Sequence, residues 1–256
     1  MMTESKKSIY HGNNRVAWIT GAGAGIGRSV SSALAKNGWR VAASARSLQD
    51  LNSLREENQP ELILPIPLDV TDCIATDVAV KNIEGDIGEI ELVILNAGTF
   101  KTTPLSDFSV DEMKEIFEVN VFGVARCISS VLATSKRLKT IAVMGSLAGY
   151  RGLPKASSYS ASKAALINFV EAIRPEAVKR GINLSMINPG FVNTRLTPSY
   201  IPPILGISPD RASQYILDGL EREQMEITFP KSLSYLIRST RHFPDDLYYK
   251  ISRRFV

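Results

Sequence analysis

The sequence predicts a doubly wound α/β fold: a parallel sheet of seven strands with helices on both faces, forming one domain over residues 1–256. Three observations carry this. Short, near-continuous apolar runs alternate with segments of helical period, as strands buried on both faces and joined by crossover helices require. The first run opens directly into a glycine-rich turn and then a helical pattern. The composition, 44% hydrophobic and 22% charged over 256 residues, is that of an ordinary folded chain with room for a large core.

The elements follow in order. After an N-terminal arm at 1–14, Arg15–Thr20 (RVAWIT) reads as the first strand, and Ile26, Val30, Ala33 and Leu34 recur at helical spacing until Asn37-Gly38 ends the helix. Trp39–Ala45, Leu62–Leu68, Glu91–Asn96, Thr140–Ser146 and Ile182–Asn188 are the next strands, with helices near 47–58, 71–84, 106–136 and 157–180. Beyond residue 194 the pattern changes. An apolar, proline-containing segment, Tyr200–Ile207, leads to Ser208-Pro209-Asp210, an N-cap with proline at the first helical position. Met225–Phe229 reads as a late strand, and the tail 231–256 as two short helices broken at Pro244.

Charge and composition exclude several function classes. The net charge of +4 resides in the tail, where Lys231, Arg238, Arg241, Lys250, Arg253 and Arg254 face only Asp245 and Asp246. A basic tail on a neutral body is not the basic face of a nucleic-acid protein, so no nucleic-acid partner is expected. Lys6 and Lys7 precede no apolar stretch and no 18 apolar residues run together, so neither a signal peptide nor a membrane span is expected. Cys73 and Cys127 lack neighbouring ligand types, which excludes a disulfide framework and a metal site and makes the cytoplasm the expected compartment. His11 and His242 form no catalytic or metal pattern, and Met144 occupies the position where a G-x-S-x-G elbow around Ser146 needs glycine.

Four features carry chemistry. Thr20-Gly21-Ala22-Gly23-Ala24-Gly25-Ile26-Gly27 is a strand-to-helix turn whose backbone can approach a pyrophosphate and aim free N–H groups at it. Its spacing is T-G-x-x-x-G-x-G, not G-x-G-x-x-G. At the end of the second strand, where a ribose 2′-hydroxyl would call for a carboxylate, stands Arg46, whose fork of donors suits a 2′-phosphate. Tyr159 and Lys163 lie at i and i+4 on one helix face, in a stripe continued by Leu166 and Val170. An inward lysine beside a tyrosine is expected to lower the phenol pKa and make it an acid–base group near neutral pH. Ser146 ends the fifth strand 13 residues earlier, facing the crevice at the sheet's carboxyl edge.

This constellation resembles the short-chain dehydrogenase/reductase family over residues 15–195. The resemblance implies a Rossmann fold, NADP(H) as cofactor, and a small carbonyl or alcohol substrate. It assigns the cofactor contacts to Thr20, Gly21, Gly23, Gly25, Ile26 and Gly27, to Arg46, and to Asp69 and Val70 for the adenine. Asn96-Ala97-Gly98 would lie beside the ribose, although Leu95 stands where the family often has asparagine. Pro189, Gly190, Val192 and Thr194, with Asn188 opening the turn, would hold the nicotinamide carboxamide. In the implied mechanism the nicotinamide delivers hydride to the carbonyl carbon, Ser146 hydrogen-bonds its oxygen, and Tyr159 donates the proton. Lys163 then binds the ribose hydroxyls as well, and Asn120 holds a water behind it.

Residues 195–223 fall where the family places its substrate lid, and the uncharged segment Tyr200–Leu205 implies a largely apolar substrate. The basic, aromatic tail reads either as two helices packed on the body or as a peripheral contact with an anionic, lipid-bearing membrane. A homodimer through 106–136 and 157–180 is expected from the fold alone. The alternative function is a catalytically silent NADP(H)-binding sensor or scaffold, against which stands the presence of Asn120, Ser146, Tyr159 and Lys163 together.

Overall fold

The structure is a computed structural model describing residues 15–196 and 206–253. Seven parallel strands form one sheet in the order β3-β2-β1-β4-β5-β6-β7. They are β1 (Val16–Thr20), β2 (Arg40–Ala45), β3 (Ile63–Pro67), β4 (Ile90–Leu95), β5 (Thr140–Met144), β6 (Asn183–Pro189) and β7 (Glu226–Phe229). The order reverses between β1 and β4, which opens a crevice at their carboxyl ends.

Alternating strand residues feed two apolar layers. Trp18, Val93, Leu95, Val143 and Met186 face one side, and Ile19, Leu92, Ile94 and Ile187 the other. The second layer is closed by α1 (Gly25–Lys36), α2 (Leu48–Glu56) and α7 (Pro209–Glu221), through residues such as Val30, Leu51 and Ile216. The first is closed by α3 (Cys73–Asp86), α5 (Gly123–Thr134) and α6 (Ser157–Lys179), through Val80, Ile128 and Leu166. Side chains cap three of these helices: Ser208 starts α7 ahead of Pro209 as its sequence signal predicts, and Ser47 and Asp72 likewise start α2 and α3.

The segment expected as one helix at 106–136 is different. A 3₁₀ turn at Leu105–Asp107 precedes α4 (Val110–Phe117), capped by Ser109, and a π turn at Glu118–Phe122 joins α4 to α5. Val110–Thr134 is long and apolar enough to cross a bilayer by length and composition. Its stripe of Ile116, Asn120, Val124, Cys127, Ile128 and Val131 is buried inside the fold, which makes it a core helix here.

The tail breaks at Pro244 as expected, into α8 (Lys231–Ser239) and α9 (Asp245–Ser252). In α8, Leu233 and Ile237 pack on the body while Tyr235 and Leu236 face outward. Arg151 ties α9 down through a 2.8 Å ion pair with Asp245 and a stack on Tyr248. The lid segment Tyr200–Leu205, from which an apolar substrate was expected, lies outside the described residues, as does the arm at 1–14.

Candidate active site

At the carboxyl edge of the sheet a cleft of about 390 Å³ runs between the glycine turn and α8. Its floor begins where β1 enters α1. Gly21 and Gly25 have positive φ of 68° and 56°, which glycine adopts freely. A Cβ on Gly27 would lie 2.3 Å from the Gly21 carbonyl oxygen, so the turn closes only without side chains. Ala24 caps α1 without a side-chain hydrogen bond, and the first helical turn holds no acid. Backbone donors and the positive helix end therefore point into the cleft, as an anion requires.

Thr20 secures this turn to the next strand: its Oγ1 accepts from the amides of Asn96 and Ala97, both at 3.1 Å. Asn96 Nδ2 returns bonds to the carbonyls of Thr20 and Gly21, each at 3.1 Å. Asn96, Ala97 and Gly98 then form the central wall. Opposite them lie Pro189, Gly190, Val192 and Thr194, with the Thr194 methyl 2.9 Å from where a Cβ on Gly25 would be.

The chemistry-bearing side chains meet at the middle of the cleft. Ser146 and Tyr159 both line the middle of the cleft, with the Ser146 hydroxyl close enough to act on the phenol, and Ser146 Oγ accepts from the Ala148 amide at 3.1 Å. Phe100 packs edge-on against the Tyr159 ring at 5.0 Å. Lys163 is buried and donates to the Met144 carbonyl at 2.9 Å, its ammonium 5.7 Å from the Tyr159 ring centroid. Burial lowers Lys163 to about 8. Burial also pushes the Tyr159 phenol up, against the opposing Ser146 hydroxyl. The lowering of Tyr159 expected from Lys163 is not found in this arrangement: burial is the largest influence on the phenol, the Ser146 hydroxyl is what opposes it, and burial disfavours the lysine's own positive charge.

Asn120 sits in the π turn behind the lysine. Its Oδ1 accepts from the Thr99 amide at 2.8 Å, and its Nδ2 donates to the Thr99 carbonyl and to Ser162 Oγ, both at 3.0 Å. The side chain is spent on pinning the loop after β4 to α6. A π turn is a frequent device at functional sites because it changes the local hydrogen-bond ladder.

Gly23, Arg46, Asp69 and Val70 lie away from the centre. Arg46 is exposed just before the Ser47 cap, and its charge reaches Asp69. Asp69 accepts from the Thr71 amide and hydroxyl, and these bonds, the amide's foremost, hold its carboxyl below the usual range. Val70 is buried against Gly123. Arg28, by contrast, is committed to the scaffold by Gly23, Asp50, Ser53 and Glu57. The structure also brings Asp50 against the turn, its Cβ 3.1 Å from a Cβ built on Gly23, which the sequence order did not reveal.

The far wall was missed from sequence. Leu147, Leu153, Pro154, Leu233 and Ile237 line it beside Phe100. Leu233 and Ile237 stand at i and i+4 on α8, a legible spacing, but nothing in the sequence says which body that stripe meets.

Comparison with known proteins agrees with this geometry. Residues 15–202 match the family model for short chain dehydrogenases. An uncharacterized oxidoreductase of Myxococcus xanthus is 35% identical over 246 residues, 94% of this chain and 97% of the relative. One from Staphylococcus aureus strain MW2 is 27% identical over 74% of this chain and 83% of its own. A short chain dehydrogenase from Burkholderia cenocepacia, solved in complex with NADP, superposes with a TM-score of 0.82 at 25% identity, covering 95% of this chain and 98% of its own. An alcohol dehydrogenase from Thermococcus sibiricus, complexed with 5-hydroxy-NADP, gives 0.76 at 27% identity, covering 84% and 95%. With the glycine turn, the Ser146–Tyr159–Lys163 cluster and a family match over most of its length, this chain belongs to the short-chain dehydrogenase/reductase family of oxidoreductases.

Proposed function

We propose that the protein is an NADP(H)-dependent oxidoreductase that interconverts a carbonyl and an alcohol on a small, largely apolar substrate. The observation that carries this is the convergence of the Ser146 and Tyr159 hydroxyls, with Lys163 buried behind them, in a cleft that begins at an uncapped helix N-terminus. The residues fit the dinucleotide: Gly21, Gly25 and Gly27 form a side-chain-free cradle, and α1 presents unpaired donors to a pyrophosphate. Arg46 suits a 2′-phosphate, and the NADP complexes of the two structural relatives support that choice. Bound NADPH would supply the hydride. Ser146 then polarises the substrate oxygen, and Tyr159 passes it a proton from the same hydroxyl cluster.

Among the described residues Lys163 donates one hydrogen bond, to the Met144 carbonyl, and so keeps N–H donors for ribose hydroxyls. Its proximity to neutral titration lets it receive and return a proton. With the Asn120 side chain engaged, holding a water behind Lys163 falls to main-chain groups of the π turn. The apolar wall of Phe100, Leu147, Leu153, Leu233 and Ile237 supports a lipophilic substrate. The proposal includes a cytoplasmic homodimer paired through α4, α5 and α6, to be checked by sedimentation. The central test incubates the protein with NADPH and a graded panel of aldehydes and ketones and follows nicotinamide absorbance. Turnover of apolar carbonyls that Tyr159→Phe abolishes supports the proposal. NADPH binding without turnover of any member would instead favour a silent cofactor-binding protein.

A further inference from the structure

Beneath Ser146 lies a polar chain that the scheme above does not use. Asn188 is fully buried, and its Oδ1 accepts from the Ser146 amide at 3.0 Å. Its amide nitrogen donates to Glu226 Oε1 at 2.9 Å and to the Tyr150 hydroxyl at 3.1 Å. Tyr150 donates to the same carboxylate oxygen, and Arg238 of α8 holds the other, Oε2, at 2.8 Å. A carboxylate only accepts, so it commands the NH₂ end of Asn188 and thereby turns the carbonyl end toward Ser146. Gly145 makes room for this: a Cβ there would lie 2.2 Å from Asn188 Oδ1.

Resting on the reading of Ser146 as the group that polarises the substrate oxygen, we propose that Glu226 is a positioning residue for Ser146. It acts through Asn188, and Arg238 makes the tail helix part of the same setting. Without Glu226 the Asn188 side chain keeps only the Tyr150 hydroxyl at that end, which can accept or donate and so no longer dictates which end faces Ser146, and the Ser146 amide loses the assured acceptor that fixes where its hydroxyl stands. Displacing a catalytic group by a fraction of an ångström to an ångström costs up to about a hundredfold in rate.

A double-mutant cycle tests the coupling, read on the carbonyl the panel turns over best. Glu226→Ala should lower kcat about tenfold or more with the NADPH dissociation constant within about twofold, while Glu226→Gln, which keeps the Oε1 acceptor, regains most of the rate. On a Ser146→Ala background Glu226→Ala should cost little further. A second arm reads amide hydrogen exchange at Ser146 without any substrate: exchange should quicken in Glu226→Ala and stay near native in Glu226→Gln. Equal losses on both backgrounds, or an unchanged Ser146 exchange rate, would show that Glu226 merely joins strand and tail. A native protein that turns over no carbonyl defeats the proposed reaction, while the exchange arm still decides the positioning claim.

Discussion

Replacing Lys163 by methionine should change how stability depends on pH in a calculable way. The residue is 4% exposed and among the described residues its ammonium donates to one carbonyl, so burial lowers it from 10.5 to about 8. Below about pH 8 the lysine is charged in both folded and unfolded chains, and the folded state bears the whole cost of burying that charge. Between about 8 and 10.5 the unfolded chain binds the proton and the folded one does not, so stability rises with pH across that window. From pH 7 to about pH 9.5 the rise attributable to this group is about 2 kcal/mol. Lys163→Met keeps the length and removes the titration, and the remaining groups are common to both proteins. The gap in unfolding free energy between native protein and variant, measured in guanidinium at the two pH values, should therefore move about 2 kcal/mol in the native protein's favour. In melting temperature that is about 4–8 °C. A gap that stays constant, or moves the other way, would refute a lysine held neutral-ward by burial.

Three further outcomes follow from the cleft. Tyr159→Phe should abolish turnover and leave NADPH binding within about twofold, because the phenol moves a proton and the ribose and phosphates are held by other groups; a variant retaining near-native rates would exclude Tyr159 as the proton donor. Arg46→Ala should weaken NADPH about 10- to 100-fold and leave NADH nearly unchanged, the worth of a charge-assisted phosphate contact, with nicotinamide fluorescence titration as the measurement. Leu233→Ala should shift the preferred carbonyl toward bulkier members of the panel, and an unaltered ranking of kcat/KM would remove α8 from the substrate wall.

How much of this was legible in the sequence differs by residue. Strand boundaries agree within one or two residues because runs such as Leu92–Leu95 and Ile141–Met144 are buried on both faces and leave no other reading. The π turn was not legible: a period of 3.6 averaged over a long window is hardly disturbed by one extra residue, and Asn120 looks polar and out of place without saying why. The Ser146, Tyr159 and Lys163 cluster could be placed because local spacing fixes it. The Asn188–Glu226 pair could not, being 38 residues apart and joined only when β6 and β7 lie side by side. The same holds for Leu233, whose inward face depends on where Arg238 anchors α8. The Tyr159 pKa failed for a different reason: sequence shows which charge is near but not how much water the fold removes, and burial was the larger effect.

The fold handles a second buried charge in the opposite way, which bears on why Lys163 is left so poorly paired. Glu91 is the second residue of β4, at the amino edge of the sheet away from the cleft, and its side chain is 5% exposed. Burial pushes its carboxyl up, but Lys139 at 2.7 Å, Arg15 at 3.2 Å and Arg137 at 3.8 Å outweigh this and hold it below the usual range. Three cations around one buried carboxylate is how this chain satisfies a buried charge where only the scaffold is at stake. At Lys163 a single carboxylate placed alongside would serve the same end, yet it would raise the lysine's pKa, occupy its donors and repel an anionic dinucleotide. Among the described residues the charge is met by one hydrogen bond, to the Met144 carbonyl, which leaves donors and a proton available on the cleft side. The cost read out by the pH experiment is therefore the stability given up to keep the lysine usable, and introducing an acid beside it should recover that stability while weakening NADPH binding.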